Sequence, residues 1–208
     1  APSLDILDSQ ITRVTAGVKI TRTSANGNNF INLTRSQIQS TDAVLATISG
    51  ATSPTYLSLF DSEITSSTNA MTVSNSGVGS NTHVRVMNSH LGNNVNGIVV
   101  ANTAAAPNTR LYFDLVRTTM TNNTNPMIDA TAANTAKTYV NVEGSVFANT
   151  TGAVIRTQGD SQVTASLVRS QVHNVNTVVS HGSATGTVRI DGNHIVASTN
   201  DFVNAGNG

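Results

Sequence analysis

No cysteine occurs anywhere in the chain, so neither a disulfide framework nor a thiolate metal site can hold it together. Charge is scarce: 11% of residues are charged, and 11 Lys and Arg balance 11 Asp and Glu. With no net field to draw it to phosphates or anionic headgroups, neither nucleic acid nor a membrane surface is an expected partner. Aromatics make up only 4% of the residues, so the ring platforms that grip sugars or unpaired bases are few. No long apolar run exists: the stretch from Gly97 to Ala101 stops at Asn102, far short of the ~18 residues a span requires, and no membrane span is expected. No stretch rich in proline or charge divides the chain, so residues 1–208 read as one domain. Thr, Asn and Ser carry the solubility. No charged leader with an apolar segment opens the sequence, so a secreted or cell-surface location is inferred from that composition alone.

What is present is a repeat. Its pattern is apolar, any, apolar, two variable residues, Ser, any, apolar, and its first copy is Leu4, Ile6, Ser9, Ile11. Seven further copies follow, and the second apolar position recurs at Ile6, Leu33, Leu59, Val86, Leu115, Val142, Leu167 and Ile190, at spacings of 23 to 29 residues. A second apolar patch follows in each copy, as in Gly17-Val18-Lys19-Ile20, Ala70-Met71-Thr72-Val73 and Gly97-Ile98-Val99-Val100. These segments alternate with period two, are short, and are rich in Val, Ile and Thr, so they read as strands. A coil of two or three such strands cannot bury its own apolar side chains. Stacking coils as parallel strands about 4.8 Å apart aligns like residues in columns and makes one continuous core. The expected fold is all-β, a right-handed parallel β-helix of about eight coils.

The repeat also contains a polar column: Ser9, Ser36, Ser62, Ser89, Thr118, Ser145, Ser170 and Asn193 fall between two inward apolar positions at a turn. Buried polar groups require partners, and stacked hydroxyls are expected to bond to one another and to the turn backbone. On this ladder and these apolar columns the chain resembles the parallel β-helix repeat proteins of the pectin-lyase-like class, whose coils carry a comparable Asn or Ser ladder. The resemblance covers residues 4 to about 204. It implies architecture more than activity, because such repeats occur in polysaccharide lyases and hydrolases, phage tailspikes, adhesins and autotransporter passengers.

The lyases of that class are similar in carrying acidic calcium ligands and a basic residue on one outward sheet face. The matching column here reads Lys19, Leu45, Thr72, Val99, Ile128 or Asp129, and Ile155, with no pair of carboxylates. The polygalacturonase signature is also absent: Ser180-His181-Gly182 and Arg189-Ile190-Asp191 do not reproduce it. A polar patch of Asp61, Glu63, Arg85, His90, Asp114 and Arg117 is the candidate binding site, where a carboxylate and an imidazole lie within one coil spacing. The ordinary reading of its charged column, Asp8, Arg35, Asp61, is a surface salt-bridge ladder, which stabilises little. The five histidines have no metal-ligand spacing, and no cofactor or metal is expected. Tyr56, Tyr112 and Tyr139 precede strands and form a candidate ligand platform.

The residues therefore favour a non-enzymatic extracellular stalk, adhesin or passenger-like segment, with a carbohydrate-active enzyme or polysaccharide-binding module as the alternative. The outward strip Leu45, Thr72, Val99, Ile128 and Ile155, apolar where a solvated sheet should be polar, points to self-association. Pro2 and the polar tail are the only caps at the solenoid ends, so continuation into a larger polypeptide or association of copies is the further expectation.

Overall fold

The computed structural model describes residues 3–12, 14–23, 27–50, 53–65, 67–106 and 109–204, and among these every regular element is a strand. Each coil contributes to three sheets. The first sheet is built from Ser3–Leu7, Asn29–Thr34, Thr55–Phe60, Thr82–Met87, Arg110–Val116 and Lys137–Glu143, then residues 162–168 and Val188–Asp191. The second consists of three-residue strands from Gln10–Thr12 through Thr119–Thr121, and the third of longer ones from Ala16–Arg22 through Ile128–Ala132. In the last three coils the corners join the ladder, and the strands run on as Val146–Val168, Gln171–Thr185 and His194–Asn204. Every strand pairs in parallel with its equivalent one coil away. The result is a parallel β-solenoid with eight first-sheet strands, about seven turns from first to last.

Alternation places Ile31, Leu57, Val84, Phe113, Val140 and Ala165 in one inward column and Leu33, Leu59, Val86, Leu115, Val142 and Leu167 in the next. Each new coil covers the one before it. Leu4 in the first coil is 46% exposed while Ile31 above it is 5%, and at the other end Phe202 is 48% exposed while Val179 beneath it is 0%. Covering such a side chain stabilises by about 1.5–3 kcal/mol, which is why single coils do not stand alone. Ala1, Pro2 and residues 205–208, in which the expected caps lie, are outside the described residues.

The corner between the first and second sheets has a fixed backbone form. Asp8, Arg35, Asp61, Asn88, Arg117, Gly144, Arg169 and Gly192 all have φ between 47° and 62°, the left-handed region. One such residue per coil turns the chain sharply, sends its own side chain outward, and delivers the next residue, the ladder Ser, inward. Gly and Asn suit this conformation, whereas Arg tolerates it at a cost of about 1 kcal/mol.

The polar ladder exists, with different bonding from that expected. Hydroxyls do not bond to hydroxyls. Each donates to the carbonyl two residues earlier, as Ser62 Oγ to Phe60 O at 2.7 Å and Ser89 Oγ to Met87 O at 2.8 Å. From Ser36 onward each also accepts the ladder N–H of the preceding coil: Ser36 N to Ser62 Oγ at 3.1 Å, Ser62 N to Ser89 Oγ at 3.2 Å, Thr118 N to Ser145 Oγ at 3.2 Å. Asn193 closes the series by accepting from Ser170 N at 2.8 Å.

Two members of the apolar strip require correction. Ile128 and Ile155 are fully buried in the core, and the outward places in those coils belong to Asp129 and Arg156, which are paired at 2.5 Å. The cause is coil length: the register carries Leu45, Thr72 and Val99 on to Asp129 and Arg156, and Asp129 follows Val99 by 30 residues, one more than the 29 that separate Leu115 from Val86 on the first sheet. A one-residue slip moves a whole strand to the other face. Leu45, Thr72 and Val99 remain outward and partly covered.

Candidate functional site

The corner that turns the chain also gathers most of the polar patch. Asp61 and Arg117 stand on the left-handed column, while Glu63 and His90 are the first outward residues of adjacent second-sheet strands, in register with each other. Together with Arg35, Gln37, Asn88 and Thr119 they line an open depression of about 520 Å³. Arg85 and Asp114 are neighbours in register on the first sheet, around the corner, and do not line it.

Within the depression the groups are held apart. Glu63 accepts a hydrogen bond from Gln37 Nε2 at 3.3 Å. The His90 imidazole leans over Gly92, where a Cβ would lie 2.6 Å from its Nε2, so the missing side chain makes room for the ring. Arg117 donates to Asn88 Oδ1 at 3.0 Å. On the same column Arg35 grips Asp8 through two bonds, at 2.6 and 2.9 Å, which holds the Asp8 carboxyl below its ordinary value and the Arg35 guanidinium above its own. Arg169 pairs with Glu143. The column behaves as an exposed charge ladder, and a hydrogen-bonded carboxylate–imidazole dyad is not formed among its described residues.

The tyrosines belong to something larger. Phe30, Tyr56, His83, Tyr112 and Tyr139 occupy the same outward place on five successive first-sheet strands, and their rings stack with centroids 4.8–5.1 Å apart and planes within 14° of parallel. The coil spacing imposes this: rings held about 4.8 Å apart by the sheet have no option but to stack. The faces of the three inner rings, Tyr56, His83 and Tyr112, are thereby spent on their neighbours, which leaves chiefly ring edges turned to solvent. A flat stacking platform for sugars is not what it presents. Burial in the stack lowers the His83 pKa, with Asp114 opposing.

Sequence reasoning missed two amide ladders. Asn93, Asn122, Asn149 and Asn174 fill a second left-handed corner, between the second and third sheets, with φ between 50° and 58°. Their side chains are linked in series: Asn122 Nδ2 to Asn93 Oδ1 at 3.1 Å, Asn149 to Asn122 at 3.1 Å, Asn174 to Asn149 at 2.9 Å. Beside them, Asn69 donates to Asp42 at 2.5 Å, Asn96 to Asn69 at 2.7 Å and Asn125 to Asn96 at 2.7 Å. The signal available in the sequence was Asn recurring at coil spacing after the second strand, hidden in a chain full of Asn. Asn122, Asn149 and Asn174 also form one wall of a larger open trough of about 670 Å³.

Among the described residues, no group of three or more His, Asp or Glu side chains is placed to hold a metal ion. His181 Nδ1 bonds to Thr157 Oγ1 at 2.6 Å, and His173 meets His194 edge-on at 6.0 Å. Comparison of the chain with protein-family models, with curated proteins and with solved structures returned no match.

Proposed function

We propose that this chain is a non-enzymatic, extracellular structural and adhesive solenoid segment, passenger- or adhesin-like, on a scaffold of the pectin-lyase-like kind. The observation that carries this reading is continuity: the ladder at the first corner passes through all seven junctions, from Ser9 N to Ser36 Oγ up to Ser170 N to Asn193 Oδ1. Coils of 23 to 29 residues leave no loop long enough to wall a deep cleft over any sheet. Enzymes need a water-excluding site with acid and base held to a reacting atom, and Glu63 and His90 lie in an open depression, the first bonded to Gln37 and the second leaning over Gly92. A surface sparing in charge and rich in hydroxyls and amides supports a secreted or cell-surface location.

The test is a turnover screen on acidic polysaccharides, with Glu63→Gln and His90→Ala beside the wild type. Absence of chain cleavage in all three is the expected result. Cleavage by the wild type that disappears in either variant would replace this reading with the carbohydrate-active one. Lateral self-association through Leu45, Thr72 and Val99 belongs to the same proposal. Light scattering should show a concentration-dependent mass that Val99→Lys abolishes, and a wild type monomeric at high concentration removes the lateral contact.

A further inference from the structure

The trough at the second corner arises from a change of coil length. In the sixth coil three steps separate Thr150 from Ala153, while their partners in the seventh, Val175 and Thr177, are two apart. The surface therefore steps inward after the sixth coil, and Asn149, Thr151, Asn174, Asn176 and Thr199 overlook the gap. Its far end is kept open by an anomaly. Ala197 continues the column of Asn122, Asn149 and Asn174 and shares their left-handed backbone, with φ at 57°. Alanine has no amide to stabilise that conformation, so the backbone strain is kept while the side chain that would relieve it, and would fill the trough, is absent.

Charge, geometry and hydrogen-bonding capacity narrow the occupant. All described residues lining the trough are Asn, Thr, Val or Ala, so an anionic polymer or a nucleic acid would find no cation among them. The strand edges at this corner are consumed by coil-to-coil pairing, so an extended peptide has no backbone row to join. A wholly apolar ligand would strand the amides. Asn122 and Asn149 each spend one amide N–H and one oxygen lone pair on their neighbours, leaving one of each free on an exposed residue, while Asn174, with no amide beyond it, spends an N–H alone. Thr151 donates to Thr124 O at 2.6 Å and keeps its acceptor capacity. Uncharged donor–acceptor pairs thus recur along the axis about every 4.8 Å, with Thr methyls and Val175 between them.

We infer that this trough, held open at Ala197, is a binding site for a neutral, hydroxyl-rich linear polymer, an uncharged glycan lying along the solenoid axis. The inference deepens the adhesive reading and rests on it: it names the chemistry the segment would adhere to, on a face separate from the Glu63–His90 depression.

Side-chain amide NMR of the intact chain tests it, titrated with cello-, manno- and malto-hexaose and with a polygalacturonate hexamer as charged control. A neutral oligosaccharide should shift the Asn149, Asn174 and Asn176 amide signals at millimolar concentration, and the polygalacturonate should not. Ala197→Asn extends the amide ladder and fills the open end, while Thr199→Tyr blocks the trough without a backbone constraint. Both should weaken binding at least tenfold with an unchanged or raised melting temperature. Binding that persists in both variants, binding of the charged hexamer alone, or no shift with any neutral oligosaccharide each overturns the inference. Release of shortened oligosaccharides would instead overturn the non-enzymatic reading while leaving the site standing, so the two failures are distinguishable.

Discussion

Replacing Ser89 by alanine isolates what one rung of the first-corner ladder contributes. Its hydroxyl donates to Met87 O at 2.8 Å and accepts Ser62 N–H at 3.2 Å. Met87 O also accepts Asp61 N–H at 3.1 Å and so remains paired after the substitution. Ser62 N–H, on a residue only 5% exposed, loses its acceptor. The lost bond accounts for about 1 kcal/mol and the stranded donor for about 1–3 more, giving about 2–4 kcal/mol in all. In a chain of this size that lowers the melting temperature by roughly 4–16 °C. Ser9→Ala is the internal control: Ser9 has the same local bond to Leu7 O, at 2.8 Å, but no N–H of an earlier described coil depends on it, so the loss should stay under about 1 kcal/mol. Because a solenoid opens coil by coil, hydrogen exchange at the Ser62 amide reads the effect most directly, and its protection should fall more than tenfold. Equal destabilisation by Ser9→Ala and Ser89→Ala, or unchanged protection at Ser62, would refute the ladder as the source of cohesion.

Tyr112→Ala removes two ring contacts, with His83 at 4.8 Å and Tyr139 at 5.1 Å, and should cost about 1–3 kcal/mol by urea denaturation, while Tyr112→Phe keeps the stack and costs little. Burial holds the His83 pKa below its ordinary value, so the unfolded chain takes up the proton more readily than the folded one. Its contribution is therefore present above about pH 6.5 and lost as pH falls through that value toward the native pKa. Melting curves from about pH 8 to about pH 5 should show this loss, and His83→Tyr should remove it. Ile155→Lys, which places an ammonium in the core, should destabilise by more than about 4 kcal/mol or abolish folding, whereas Val99→Lys on the outward face should stay within about 1 kcal/mol; thermal melts compare the two.

The inward columns of the first two sheets and the Ser ladder were legible in the sequence because period two and coil spacing reinforce each other there. The third sheet was only half legible: one extra residue before its strand in the fifth coil sets Asp129 rather than Ile128 opposite Val99, and no local propensity marks where a corner takes one residue more. The left-handed column was visible as residues but not as a conformation, since Arg35, Arg117 and Arg169 mask what Asn88, Gly144 and Gly192 would have signalled. Tyr56, Tyr112 and Tyr139 suggest a ligand platform in the sequence and not a continuous stack, because the ring between Tyr56 and Tyr112 belongs to a histidine, His83. For the candidate site, the sequence brought Glu63 and His90 to adjacent rungs correctly, yet which side chains lean toward which neighbours depends on gaps such as Gly92. The amide trough depends on a one-residue difference between coils, too small to stand out against spacings that vary from 23 to 29.

Every rung of the Ser ladder points the same way along the rod: the N–H of one coil is answered by the oxygen of the coil that follows it in the chain. The newest coil at the growing end therefore always holds out one donor that only its successor can satisfy. A chain delivered amino end first, from a ribosome or through a secretion pore, assembles in the order in which each arrival completes its predecessor. Such a rod has a built-in direction of growth, and a coil laid down out of turn would leave that donor unanswered.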